Sequence, residues 1–233
     1  MSSWTPGLDQ ALLVILPYLS VFTLLLVTIQ RYRAQSFTYS SLSSQFLENR
    51  QHFWGSVPFH YGILAVIAGH VIAFLFPGEV LRWNGRPGRL VALEVSLLVF
   101  SLMALVGLLA GMARRWTSPK VRMVTTVTDW ILLSMLAAQV ASGIGMAILY
   151  PWGSSWFASS VAPYLWSLIK LNPEISYVAA MPHLVKGHFV GAYLLIGFFP
   201  FTRLVHILVI PNPYLWRKMQ VVRWLRRGPR AGA

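Results

Sequence analysis

Residues 57–76 read VPFHYGILAVIAGHVIAFLF, twenty residues without one Asp, Glu, Lys or Arg, yet with two histidines, His60 and His70, ten apart. Twenty residues of helix rise about 30 Å, the thickness of the hydrocarbon core of a bilayer. The stretch therefore reads as a membrane-spanning helix, and the histidines in it need a reason. Working outward, four more apolar runs reach a similar length, at roughly 8–29, 90–112, 127–150 and 184–209. The composition agrees: 56% of the chain is hydrophobic and only 11% charged, with a mean hydropathy of +0.61, whereas a soluble domain is about a quarter charged. These features predict an all-α integral membrane protein, with five transmembrane helices in one bundle over residues 1–210 and a basic tail over 211–233. They leave no room for a separate soluble domain. The first run follows an N-terminus without Lys or Arg, unlike a cleaved signal peptide.

The net charge of +13 is distributed unevenly. Of the nineteen Lys and Arg residues, fourteen lie in the 30–56 and 113–126 loops and from Arg203 onward, and five in the 77–89 and 151–186 segments. The excess of positive charge on cytoplasmic segments then sets the N-terminus outside and the C-terminus in the cytoplasm. Pairs such as Arg226–Arg227 read as topology determinants and contacts to anionic membrane lipids, not as a nucleic-acid site. The chain has no cysteine, which excludes covalently attached haem, thiolate-held iron–sulfur clusters and disulfides. Any redox role must rest on a cofactor held by histidine.

Between the spans, the Ser-rich stretch around 40–51 reads as a short interfacial helix, and Pro58 falls in the first turn of span two, where a missing N–H is harmless. The segment 151–168, PWGSSWFASSVAPYLWSL, is too broken by proline to cross the membrane again. It reads as a cap with a helix at 157–171 lying on the bundle, and Trp152, Trp156 and Trp166 suit the headgroup level. Pro200 should kink span five unless neighbours satisfy the freed carbonyl.

Of the six histidines, His52 and His183 sit at or beyond span ends, while His60, His70, His188 and His206 belong to spans two and five. A single imidazole inside a membrane is equally well explained by an interhelical hydrogen bond, but two pairs on two helices ask for more. Residues 188 and 206 are eighteen apart, five full helical turns, and so share a face; residues 60 and 70 lie about 80° apart. Antiparallel spans place His60 with His206 toward the inside and His70 with His188 toward the outside. Each pair can put one imidazole on either side of a metal, the geometry of two stacked b-type haems with histidine axial ligands to iron. The rise between the two partners differs, about 15 Å against about 27 Å, so tilt, the Pro200 bend and inclined ligand axes must absorb about 12 Å. Gly62, Gly69, Gly187 and Gly191 lie near these histidines, where missing side chains admit a flat macrocycle or simply pack helices.

With these residues in hand, the chain resembles the gamma subunit, a dihaem cytochrome b, of membrane-bound respiratory nitrate reductase. The resemblance rests on FHYGILAVIAGH at 59–70, RRWTSPKVR at 114–122 and HFVGAYLLIGFFPFTRLVHI at 188–207, with SSQFLE at 43–48 and PNPYLWRKMQVVR at 211–223 continuing it. It implies a subunit in a bacterial or archaeal cell (inner) membrane that oxidises menaquinol or ubiquinol near the outer face and releases the protons there. Electrons would pass through an outer, distal haem at His70 and His188, then an inner, proximal haem at His60 and His206. They would leave to an iron–sulfur beta subunit and a molybdenum alpha subunit that reduces nitrate, both docked on the tail. No catalytic residue for the nitrate chemistry is expected in this chain. The family places its quinol site beside the outer haem with a lysine in the following loop. Here the residues in those places are Gly69, His70 and, among Arg82, Arg86 and Arg89, the one nearest span three, Arg89. Glu94 and Asp129 either relay a proton or pair with an arginine, and pairing is the expectation. Two other functions compete: a haem b anchor for a formate dehydrogenase or hydrogenase, and a small transporter or scaffold whose histidines relay protons or hold helices together.

The four paired histidines and the missing cysteine predict two non-covalent b haems per chain. A pyridine haemochrome assay should count two, all extractable by acid–acetone, and a count of one or none overturns the pairing.

Overall fold

A computed structural model describes residues 5–35 and 52–208, and every regular element among them is helical. Helix α1 (Pro6–Gln10) passes through a π-helical turn (Ala11–Ile15) into α2 (Leu16–Gln35) without leaving helical backbone. Then follow α3 (His52–Leu75), α4 (Pro77–Asn84), α5 (Pro87–Thr117), α6 (Pro119–Met123) and α7 (Val127–Leu149). The chain continues with α8 (Gly153–Trp156), a second π turn (Phe157–Val161), α9 (Ala162–Ile169), α10 (Ser176–Ala179) and α11 (His183–Phe198), and ends in short 3₁₀ turns (Phe199–Phe201 and Arg203–Leu208). Five stretches are long and apolar enough to cross a membrane: Pro6–Ala34, Trp54–Leu75, Pro87–Thr117, Val127–Leu149 and His183–Phe201. These are the five spans expected. Proline at the first positions starts α4, α5 and α6 where no N–H is needed. Thr126 and Asp129 form a reciprocal capping box that starts α7. The interfacial helix expected at 40–51 lies outside the described residues, and so does the tail 211–233.

The principal packing partners form a row, α3 on α5, α5 on α7, α7 on α11 and α11 on α2. The tightest pair is α3 with α5, and glycine explains it. A Cβ on Gly62 would strike the backbone of Phe100 and Ala104, and one on Gly107 would strike the backbone of Phe59 and Gly55. Backbones meet directly there, the small-residue contact by which helices associate in lipid. The same contact corrects one expectation: α3 begins at His52, so Pro58 lies inside the helix and not in its first turn. The added turn is held by Gly55, whose missing side chain faces Gly111 of α5.

Span five departs further from expectation. The α-helix stops at Phe198, tightens to a 3₁₀ turn over Phe199–Phe201, and Thr202 is extended. Pro200 removes a backbone donor, and the Thr202 hydroxyl takes over the turn by donating to Phe199 O (2.8 Å) and accepting from Leu204 N (3.1 Å). The carbonyls left free, Pro200 O and Thr202 O, accept from the Arg31 guanidinium at 2.6 and 3.0 Å. Residues 188 and 206 therefore do not lie on one continuous helix, and five helical turns cannot place them on one face. The backbone of His206 lies in the final 3₁₀ turn; its side chain lies outside the described residues.

The expected cap is present, and it is buried more deeply than a headgroup helix. Tyr164 of α9 is fully buried and donates to Leu13 O at 2.6 Å, while Tyr193 of α11 donates to the Tyr164 hydroxyl at 3.1 Å. Burial, with Tyr193 beside it, pushes the Tyr164 phenol above its ordinary range, so it stays a donor. Trp166 stacks on Phe74 of α3 (ring centroids 5.0 Å apart) and donates to Phe74 O at 3.1 Å. Trp156 donates to Tyr150 O at 3.3 Å. Of the three tryptophans expected at headgroup level, only Trp152 is exposed. Tyr18 closes the cap from α2 by donating to Leu168 O at 2.9 Å.

Beneath the cap lies an ion pair that the sequence did not suggest. Lys186 Nζ, fully buried, reaches both carboxylate oxygens of Asp9 at 2.9 and 3.1 Å. It joins the first turn of α1 to the first turn of α11. Removing one member of a buried pair typically costs about 3–5 kcal/mol because the other charge stays buried, whereas replacing both with apolar groups is often neutral. Lys186→Met should therefore lower the thermal unfolding midpoint of the purified protein well below that of wild type, and Asp9→Leu with Lys186→Met should recover most of the loss. A single variant as stable as wild type would show that the pair carries no structural weight.

Candidate functional site

With two helices, α5 and α7, between them in the packing row, α3 and α11 face each other across a cavity of about 820 Å³ whose walls are almost wholly apolar. Its few polar side chains include His70 from α3, His188 from α11, Gln139 from α7 and Glu94 from α5. His70 and His188 thus line one cavity. His60, about 15 Å further along α3 by helical rise, is exposed and meets the ring of Phe59 edge-on, centroids 5.2 Å apart.

The hydrogen bonds of the rings decide what they can do. Nδ1 of His60 lies 2.7 Å from Ser56 O, and Nδ1 of His70 lies 2.8 Å from Val66 O. A carbonyl can only accept, so each Nδ1 carries the proton and each Nε2 keeps a lone pair. Nδ1 of His188 lies 2.9 Å from Ser142 Oγ, and that hydroxyl lies 2.9 Å from Gln139 O. The hydroxyl has one proton, which the carbonyl takes, so its oxygen accepts from His188 Nδ1–H and Nε2 is again left free. In each of the three rings Nε2 keeps a lone pair that could bind a metal.

Among the described residues no three His, Cys, Asp or Glu side chains converge to hold a metal ion. A bare ion needs about four ligands. A metal already held in a macrocycle asks the protein for only two, and His70 and His188 supply two from opposite helices into a roomy apolar space. That donor set fits haem iron. The glycines serve otherwise than as a flat cradle. Gly62 packs against α5, a Cβ on Gly69 would press on Leu97 Cδ2 at 2.9 Å, and one on Gly191 would strike the Gln139 amide. Only Gly187 meets nothing within 4 Å.

The loop arginines separate into distinct roles. Arg82 pairs with Glu79 on the surface of α4, and Arg86 is the exposed residue that precedes α5. Arg89 is partly buried, with its guanidinium carbon 5.1 Å from the centroid of the Trp83 ring, which lines the cavity. Arg89 Nε is buried without a hydrogen-bond partner. Gly69 and His70 line the same cavity. Asp129 pairs with an arginine, Arg203 Nε at 3.2 Å, as expected. Glu94 does not: it accepts from Ser154 N at 2.8 Å and Ser154 Oγ at 2.6 Å, because the α7–α8 turn brings that serine over the first turns of α5.

Residues 9–225 match the model of the nitrate reductase gamma subunit family. The chain belongs to the nitrate reductase gamma subunit family. It is 29% identical to the nitrate reductase gamma chain of Bacillus subtilis (strain 168), over 92% of this chain and 97% of that one. It is 31% identical to the respiratory nitrate reductase 2 gamma chain of Escherichia coli (strain K12), over 90% and 94%. More distantly, it is 26% identical to an Hdr-like menaquinol oxidoreductase cytochrome b-like subunit of Archaeoglobus profundus, over 72% of this chain and half of the relative. Membership makes the chain a membrane subunit of an enzyme complex whose chemistry is nitrate reduction.

The reading of the sequence missed Ser142 and Gln139, which fix His188 from the neighbouring helix. A signal for them exists: Gln139 is the only amide side chain in the apolar run 127–150, and Ser142 and Gly143 follow it three and four residues later on the same helical face. Asp9 and Lys186 lie 177 residues apart, and nothing local marks them as partners.

Proposed function

We propose that this chain is the dihaem cytochrome b of a quinol-dependent nitrate reductase, with its N-terminus outside and its tail from 211 docking the soluble subunits in the cytoplasm. The observation that carries the reading is the convergence of His70 and His188 on one apolar cavity, each ring with Nδ1 committed and Nε2 open. In this reading these two histidines hold the outer haem, and His60 and His206 hold the inner one. Bound haem supplies one-electron chemistry, accepting electrons singly from a two-electron donor such as menaquinol or ubiquinol and relaying them toward an iron–sulfur subunit and a molybdenum subunit. The relative from Archaeoglobus profundus supports both halves of this proposal, since its name joins menaquinol oxidation to a cytochrome b-like chain.

The protein's own residues do the rest. The cap over Phe157–Ile169 covers the cavity, and Phe157 packs its ring edge-on to His70 at 5.5 Å. Beside the outer haem, Gly69 and His70 give a quinol an approach, and Arg89, whose guanidinium lies over the cavity-lining Trp83, is the loop arginine assigned to it. Protons from the quinol then leave on the side of the bundle that carries the 77–89 loop. A second reading keeps the haems but attaches the chain to another quinol-linked oxidoreductase. The subunits that copurify separate the two, because the nitrate reading requires a molybdenum subunit.

Two outcomes follow. Replacing His70 or His188 with alanine should stop oxidation of quinol analogues while nitrate reduction from reduced methyl viologen survives in the whole complex. Replacing His60 or His206 should leave quinol-reducible haem that nitrate no longer reoxidises quickly. A His60 variant that lost its quinol-reducible haem, beside a His70 variant with fast quinol-to-nitrate turnover, would overturn the pairing. Secondly, Arg89→Ala should raise the KM for quinol several-fold with little change in methyl viologen activity, whereas Arg86→Ala should leave both unchanged. Equal effects of the two would remove Arg89 from the site.

A further inference from the structure

The histidines of this chain are not held alike. His60 and His70 each donate to a carbonyl one turn back on their own helix, Ser56 O and Val66 O. His188 has a carbonyl one turn back as well, that of Leu184, but its Nδ1 goes to a different helix, to Ser142 Oγ at 2.9 Å. Three consecutive contacts from one face of α7 converge on it. Gln139 Nε2 donates to the main-chain oxygen of His188 at 3.0 Å. Ser142 Oγ accepts from the ring N–H and donates its own hydroxyl proton to Gln139 O. Gly143 leaves the ring its place, since a Cβ there would stand 3.3 Å from His188 Cε1. On the opposite side, Gly191 is bare where a side chain would strike the Gln139 amide. The ring is therefore clasped on its Nδ1 edge and at its backbone, and it lines the cavity with Nε2 uncommitted.

We propose that Ser142 is a positioning residue that sets the tautomer, the ring angle and the electron-donating strength of His188, and so tunes the outer haem separately from the inner one. The inference rests on the haem reading given above. A ligand imidazole that donates its second N–H gains basicity at the metal-binding nitrogen. The acceptor here is a hydroxyl already polarised by its own bond to a carbonyl, which strengthens the first bond. A more basic ligand favours the oxidised iron, so the Ser142 contact lowers the outer haem's midpoint potential relative to the same site without it.

The experiment uses the whole complex in membranes, with Ser142→Ala, Ser142→Thr and wild type compared by potentiometric titration of the b haems and by low-temperature EPR of the oxidised low-spin signals. Ser142→Ala should raise the outer haem's midpoint potential and shift its EPR g-values. The inner haem should stay at the wild-type position, and two haems per chain should remain. Ser142→Thr keeps the hydroxyl and should restore both signals. An alanine variant with two haems and an unmoved outer potential and EPR signal overturns the inference, the Leu184 carbonyl having served equally well. Equal movement of both haems in the alanine variant overturns it too, since that is the mark of a general structural effect. A wild-type preparation without b haem overturns the haem reading itself, and this inference with it.

Discussion

Hydrocarbon offers a polar group no hydrogen-bond partner, and each group left unsatisfied there costs several kcal/mol. Most of what is unusual in this chain is a response to that constraint. Arg31 folds back to take the carbonyls that span five leaves open around Pro200. Lys186 and Asp9 neutralise each other under the cap. His60, His70 and His188 obey the same rule, each spending one ring nitrogen on a neighbour in the protein. The satisfied nitrogen is what makes the other one useful, because it fixes which atom keeps its lone pair.

Space is apportioned with similar economy. Between α3 and α5 glycine removes it altogether, and backbones touch. Between α3 and α11 it is kept open, walled by aliphatic side chains and roofed by the Phe157–Ile169 segment. One face of α3 therefore builds the scaffold while another borders the cavity. Gly62 and His70 divide these duties between them eight residues apart.

Much of this was legible in the sequence because it depends on local pattern. Five apolar runs of sufficient length gave five spans, and His70 and His188, placed at matching depth in antiparallel runs, line one cavity. Capping at Thr126 and the starts at Pro77, Pro87 and Pro119 are local too. What could not be read depends on partners far apart along the chain. Helical arithmetic placed residues 188 and 206 on one face, and it failed because Thr202 is extended, a choice made jointly by Pro200 and by an arginine 169 residues upstream of it. Glu94 was expected to take an arginine, yet a serine from the turn after α7 reached it first. The glycines near the histidines suggested a macrocycle's bed, but three of the four turned out to fit neighbouring side chains or backbone.

The pairing of first and last spans bears on how such a protein is made. Asp9 waits for Lys186, Arg31 for Pro200, Tyr18 for Leu168 and Leu13 for Tyr164, and in each case the later partner is synthesised about 150 residues or more after the earlier. A ribosome delivering spans in order leaves the first helix without its neighbour until nearly the whole chain has entered the bilayer. The wall that carries His188 arrives last as well. Until then the chamber is an open trough, so in the haem reading proposed above the prosthetic group would find its site complete only after the last span is in place.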